Sequence, residues 1–166
     1  KLNKTVKTGR THLMDAMPIT FGQELSGWKA QIDDNISSLK NCLNRLKRLP
    51  IGGTAVGTGI NAHKLFAKEF LTAINKESRV KYVGKKNKFE GLSSQDDAVL
   101  YSSHLKSIAV SLIKIANDLR WMNSGPDSGI SDIKLKALQP GSSIMPGKVN
   151  PVISESSIMA CSQVIG

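Results

Sequence analysis

The chain has 166 residues, 40% of them hydrophobic and 22% charged, which describes one soluble globular domain with a real core and excludes a disordered or membrane-spanning chain. Its net charge is +10. Positive charge of that size suits nucleic acid, an anionic membrane surface or small acidic molecules, yet the densest run, "KYVGKKNK" (Lys81–Lys88), has one aromatic and no nucleic-acid motif, so it reads as a solvated basic loop.

The opening "KLNKTVKTGR" has no initiator Met and no apolar core after its positive charges; it is not a signal peptide and reads like the middle of a protein. From Gly22 to Leu49 the apolar residues Leu25, Trp28, Ile32, Ile36, Leu39, Leu43 and Leu46 recur at steps of three and four. That rhythm predicts one long helix with a narrow apolar stripe that needs partner helices, stopped by Pro50 and Gly52-Gly53. "GGTAVGTG" (Gly52–Gly59) lacks the Lys-Ser/Thr pair and the βαβ surroundings of a phosphate loop, and reads as a connector for close backbone packing or as a loop at a ligand's edge. A shorter helix is expected around His63–Asn75, then a basic loop over Ser78–Gly91.

The strongest helical pattern runs from about Ser94 to Asn123. Apolar residues cover most of its circumference, as in a helix surrounded by others, and "SGPDSG" ends it. A last helix begins near Pro151, with Glu155 near its amino end. Cys42 and Cys161 lie far apart and outside any metal-type spacing, which suggests two ordinary thiols in a reducing compartment, the cytoplasm. The expected fold is all-α, part of a long-helix bundle, with no internal repeat or domain boundary.

Two polar segments interrupt this pattern, "GRTHLMDAMP" (Gly9–Pro18) and "QPGSSIMPGKVNP" (Gln139–Pro151). A histidine such as His63 or His104 is ordinarily a surface or hydrogen-bonded residue, and glycine and proline ordinarily make turns. In the second segment, however, Ser142 and Ser143 follow a glycine, Lys148 supplies a point charge suited to a carboxylate, and Asn150 supplies an amide. Fixed donors of this kind serve a reaction that passes through a negatively charged intermediate, and they could stabilise a serine alkoxide.

"GSSIMPGKVNP" resembles the signature of the fumarase/aspartase superfamily, and "GRTHLMDAMP" its histidine-bearing signature, in the expected order. "GQELSGW", "GGTAVGTG", "NKFE" and "IANDLRWM" look most like class II fumarases. The resemblance covers essentially all 166 residues and corresponds to the central helical region of a family member, residues 1–166 being a partial helical domain without the amino-terminal domain and carboxy-terminal part.

This resemblance implies reversible addition of water to fumarate to give L-malate, with no metal and no cofactor. Ser142 matches the base that removes the C3 proton, leaving a carbanion delocalised into the neighbouring carboxylate. His12 matches the residue that exchanges a proton with water, and Glu155 its orienting acid. Thr11, Ser143, Lys148 and Asn150 match substrate-binding positions, with Val149 contributing backbone. The family further implies a homotetramer whose sites are built from several chains, a small dicarboxylate as ligand, and neither nucleic acid nor membrane as partner. Met14 and Asp127 depart from the family, where Gln and Arg are usual, and "NPVISE" leans toward aspartate ammonia-lyase, the alternative enzyme; a non-catalytic helical assembly module is the alternative outside catalysis.

Overall fold

A computed structural model describes residues 2–166. Five α-helices carry the fold: α1 (Phe21–Leu46), α2 (Phe66–Glu77), α3 (Lys88–Ser93), α4 (Asp96–Met122) and α5 (Val152–Ile165). The long-helix, all-α reading therefore holds, with α1 ending at Leu46, the last residue of its stripe and three residues short of Leu49. Strands are few. β1 (Val6–Thr11) and β2 (Met14–Thr20) form an antiparallel hairpin, and β3 (Arg48–Leu49) pairs in parallel with β4 (Val83–Gly84). Among the described residues, no helix is long and apolar enough to cross a membrane.

The chain divides into two compact units, one made of residues up to Asn35 with Leu105–Gly166, the other of Ile36–His104. In the first, Phe21 and Trp28 at the start of α1 bury their rings with Met122 at the end of α4, and Ile115, Leu119 and Ile133 pack around them. Ala109 and Ala116, seven residues apart on α4, are the other buried positions of that helix, where small side chains permit close approach. Much apolar surface stays uncovered: Leu25 on α1, Val110, Leu112 and Trp121 on α4, and Met159 and Val164 on α5 are all exposed. The sequence pattern surrounds α4 with neighbours, and this chain supplies only some of them.

In the second unit, the glycine connector packs against α3. Gly57 has φ +108°, and a Cβ there would lie 2.8–3.0 Å from Phe89, so neither its conformation nor its space admits a side chain. This matches the close-packing reading of "GGTAVGTG". His63 accepts the Leu65 N–H on Nδ1 at 3.2 Å just ahead of α2, a local turn contact. Asn75 clamps the chain beyond α2 by accepting the Tyr82 N–H at 2.7 Å and donating to the Tyr82 carbonyl at 2.9 Å. That clamp delivers Val83 to β3, where its N–H meets the Lys47 carbonyl at 3.0 Å.

Part of the basic loop proves to be helical. Asn87 caps α3 by accepting the Glu90 N–H at 3.0 Å, the cap chemistry expected of Asn. Its charge is also partly neutralised: Lys85 lies 2.8 Å from Glu90 and 3.2 Å from Asp97, and Asp97 takes a second cation, Arg45, at 2.6 Å. The Arg45 hydrogen bond, with help from Lys85, holds the Asp97 carboxyl below its ordinary range, outweighing the opposite effect of burial. A carboxyl depressed on folding adds stability above its unfolded pKa of about 3.9 and loses it as pH falls through the folded value. Asp97→Asn should therefore lower the thermal midpoint of the intact protein at neutral pH, and the gap should close in acid. Melting curves taken across the acid range would show it; a gap that widened in acid would contradict the assignment.

Candidate functional site

The histidine-bearing segment is the tip of the β1–β2 hairpin. The register pairs Thr11 with Met14 and Arg10 with Asp15, which leaves His12 and Leu13 as the two turn residues. Both lie in the left-handed region, His12 at φ +53° and Leu13 at φ +62°. A two-residue hairpin turn with positive φ at both positions ordinarily carries Asn-Gly, because non-glycine residues there cost about 1–2 kcal/mol each. The sequence places these residues before the long helix but does not announce the hairpin, since "RTHLMDAMP" has neither strand alternation nor a glycine at its turn. Thr11 and His12 are both exposed at the tip, and strain in a turn that displays an imidazole to solvent fits a functional position.

The serine segment is an irregular loop running into α5. Ser142 N–H reaches the Lys148 carbonyl at 3.3 Å, and Lys148 N–H the Met145 carbonyl at 3.0 Å, so the loop folds back on itself and brings Ser142 and Lys148 to one neck. Gly141 is required at that neck: a Cβ would stand 2.9 Å from the Gly147 nitrogen and 3.1 Å from the Lys148 carbonyl oxygen. Ser142 Oγ accepts the Ile144 N–H at 3.3 Å. Ser143, Lys148, Val149 and Asn150 are exposed, and Ser142 is half-buried. The loop feeds the amino end of α5, whose aligned peptide dipoles favour negative charge there. A lysine, hydroxyls, an amide and a helix amino end thus lie within one short segment, and all are groups that a carboxylate can pair with.

Glu155 lies in the first turn of α5, 3.9 Å from Arg120 at the end of α4. Among the described residues, no hydrogen bond or ion pair joins His12 to Ser142, Ser143, Lys148, Asn150 or Glu155 within the chain. The fold thus gathers Ser142, Ser143, Lys148, Val149 and Asn150 on one loop with Glu155 one turn beyond, and presents Thr11 and His12 separately. His104 lies on α4 away from both motifs in sequence. Two surface pockets, one formed by Trp121 and Ser124–Ile130, the other by the glycine connector with Phe66, Phe70 and Leu92, include none of these residues. No group of three or more His, Cys, Asp or Glu among the described residues is placed to hold a metal ion.

One set of charges was invisible in the sequence. Arg10 engages Asp132 through Nη1 at 2.7 Å and Nη2 at 3.3 Å, across 122 positions of chain. Lys7 lies 2.6 Å from Glu24 and 3.2 Å from the same Asp132. Burial pushes the Asp132 carboxyl up, but the hydrogen bonds from Arg10 and Lys7 prevail and hold it below its ordinary range; Asp132 in turn raises Arg10.

A family model described as lyase matches residues 1–166. A class II fumarate hydratase of Xylella fastidiosa is 56% identical over 165 residues, covering 99% of this chain and 35% of the relative. A second relative, class II fumarate hydratase 2 of Pseudomonas aeruginosa, is 54% identical over 161 residues, covering 97% of this chain and 35% of the relative. Among solved structures, a Schistosoma mansoni class II fumarase superposes with a TM-score of 0.91 at 37% identity, over 98% of this chain and 37% of that one. A cobalt-bound fumarate lyase:delta crystallin from Brucella melitensis gives 0.91 at 45% identity, over 97% and 35%. The chain thus spans about a third of the length of the relatives it matches.

The strain at the hairpin tip can be tested directly. Leu13→Gly removes a Cβ from a left-handed position and should slow amide exchange across Val6–Thr20; faster exchange would show that the tip is not strained by its side chains.

Proposed function

The chain belongs to the lyase family, and on that premise we propose that the protein of which it forms part hydrates fumarate to L-malate and catalyses the reverse. The observation that carries the reading is the serine loop: Ser142 and Lys148 closed at one neck, ahead of a helix amino end, in a chain 56% identical to a class II fumarate hydratase.

In the dehydration of malate to fumarate, the Ser142 alkoxide takes the C3 proton, and the electron pair left on C3 delocalises into the adjacent carboxylate. Charge then grows on a group that already bears one negative charge. Lys148, the Ser143 hydroxyl, the Asn150 amide and the backbone at Val149 are the donors suited to it, fixed in advance so that little reorganisation is needed. The C2–O bond breaks next, and the departing hydroxyl collects a proton from His12 and leaves as water. Glu155 orients that imidazole, and Thr11 binds a substrate carboxylate beside it. No step in this scheme calls on a metal or a cofactor.

Within one chain His12 and Glu155 form no direct pair, and Glu155 faces Arg120. The reading therefore needs His12 and the serine loop to meet between copies, in a homotetramer whose long helices cover each other's exposed apolar positions. Val110, Leu112 and Met159 are the side chains such packing would bury. The 166-residue chain alone should have negligible hydratase activity. Both cysteines are free and buried, which suits a reducing compartment, and we place the reaction in the cytoplasm, on a free dicarboxylate and not on nucleic acid or membrane.

Assaying the intact protein with malate and with aspartate, and following fumarate, tests the proposal. Malate should yield fumarate; fumarate from aspartate alone would make the protein an ammonia-lyase, and none from either would favour a non-catalytic assembly module. Ser142→Ala should lower kcat by about 10²–10⁴-fold, the usual contribution of a positioned base, with the fold intact by circular dichroism. Unchanged turnover would require another base.

A further inference from the structure

We infer that Asp132 is a positioning residue for the Thr11–His12 turn, acting through Arg10 and Lys7; the inference rests on reading that turn as part of the active site.

In a regular strand, side chains alternate between faces, so residues three apart, such as Lys7 and Arg10, point to opposite sides. Here the β1–β2 register shifts between Thr8 and Arg10. An irregularity of this kind re-aims the residues beyond it, and it brings both cations to the same carboxylate. Arg10 uses both prongs of its guanidinium on the two Asp132 oxygens, at 2.7 and 3.3 Å, a geometry lysine cannot copy. Lys7 adds Glu24 at 2.6 Å, the Met122 sulfur at 3.3 Å and the face of Phe21 at 5.2 Å. The Lys7 side chain is only 5% exposed and that of Asp132 14%. The cluster balances two cations with two carboxylates. It ties β1 at once to α1, to the end of α4 and to the connector that leads, ten residues later, to Ser142.

A buried ion cluster is poor value as a source of stability alone, because desolvation offsets most of the attraction. Its position suggests another use. Arg10 is two residues from His12, and the turn that follows holds two non-glycine residues at positive φ. Such a turn persists only when its surroundings over-determine it. Arg10 is also restrained from the other strand by Asp15 at 3.6 Å, but Asp15 is 82% exposed, so the firm partner is Asp132. Holding Arg10 fixes the last residue but one before the imidazole. A small displacement there matters, since misplacing a reacting group by 1 Å can cost about a hundredfold in rate.

The test uses the intact protein. Asp132→Asn should lower kcat by at least about tenfold and speed amide exchange over residues 10–14, with the assembly unchanged in sedimentation; Asp132→Glu should recover most of both. The double variant Arg10→Gln/Asp132→Asn should lose no more than the worse single, because the pair acts as one unit. Turnover within twofold of the parent in Asp132→Asn, or losses that multiply in the double variant, would overturn the inference. Should Asp132→Asn fail to assemble, Arg10→Lys decides: it keeps the charge but not the fork, and unchanged turnover there overturns the inference too. Should the parent protein hydrate no fumarate, the functional reading falls by itself, and amide exchange at the turn still decides whether Asp132 holds it, with unchanged exchange again counting against it.

Discussion

Along α4, Val99, Val110, Leu112 and Trp121 stand exposed, while Ala109, Ala116 and Met122 are buried. Leaving large aliphatic side chains in water forgoes about 1.5–3 kcal/mol each relative to full burial. Helices with this much uncovered apolar surface gain free energy from being covered, and the placement of the polar segments fits that constraint. A long helix that must pack along its length cannot also carry much polar chemistry. The residues proposed for catalysis sit accordingly at ends and connections: a hairpin tip ahead of α1 and a loop ahead of α5. Both candidate segments lie outside the helices.

Electrostatics then does locally what the apolar core does only sparsely. In the unit that holds the hairpin, the buried core is small, centred on Phe21, Trp28 and Met122. Directional contacts supplement it: Asp132 with Arg10 and Lys7 on one side, and the Asn123 side chain accepting the Leu135 N–H at 2.7 Å on the other. In the other unit, Asp97 plays a similar part between Arg45 and Lys85. Each of these carboxylates is shared by two cations, which holds it ionised, and three of the four cations reach a further carboxylate as well. The densest basic run in the sequence is, for this reason, less of a free positive patch than its composition suggests.

What could be read from the sequence follows from range. The three- and four-residue steps of α1 and the apolar circumference of α4 are local patterns, and both helices appear within a few residues of their expected bounds. The serine loop was legible because thirteen consecutive residues carry its turn chemistry and its donors together. The hairpin was not. Its turn uses His12 and Leu13 where Asn-Gly would have announced it, and Pro18 interrupts the second strand. The partnership of Arg10 with Asp132 was equally hidden, because nothing local joins positions 122 residues apart. The helix α3 was lost among lysines, although Asn87 and Glu90 stand at cap and third-position spacing.

In the proposed enzyme the imidazole of one copy meets the serine loop of another, so that each chain is catalytically incomplete. Subunit complementation tests it most directly. Two intact variants, His12→Asn and Ser142→Ala, each inactive as a homomeric assembly, would be mixed, dissociated and reassembled together. Sites that draw His12 from one chain and Ser142 from another should reappear in the hybrids, and hydratase activity should return to a measurable fraction of the parent's. Hybrids that assemble, as judged by mass, yet stay as inactive as either variant alone would contradict the claim and place both groups in a single chain.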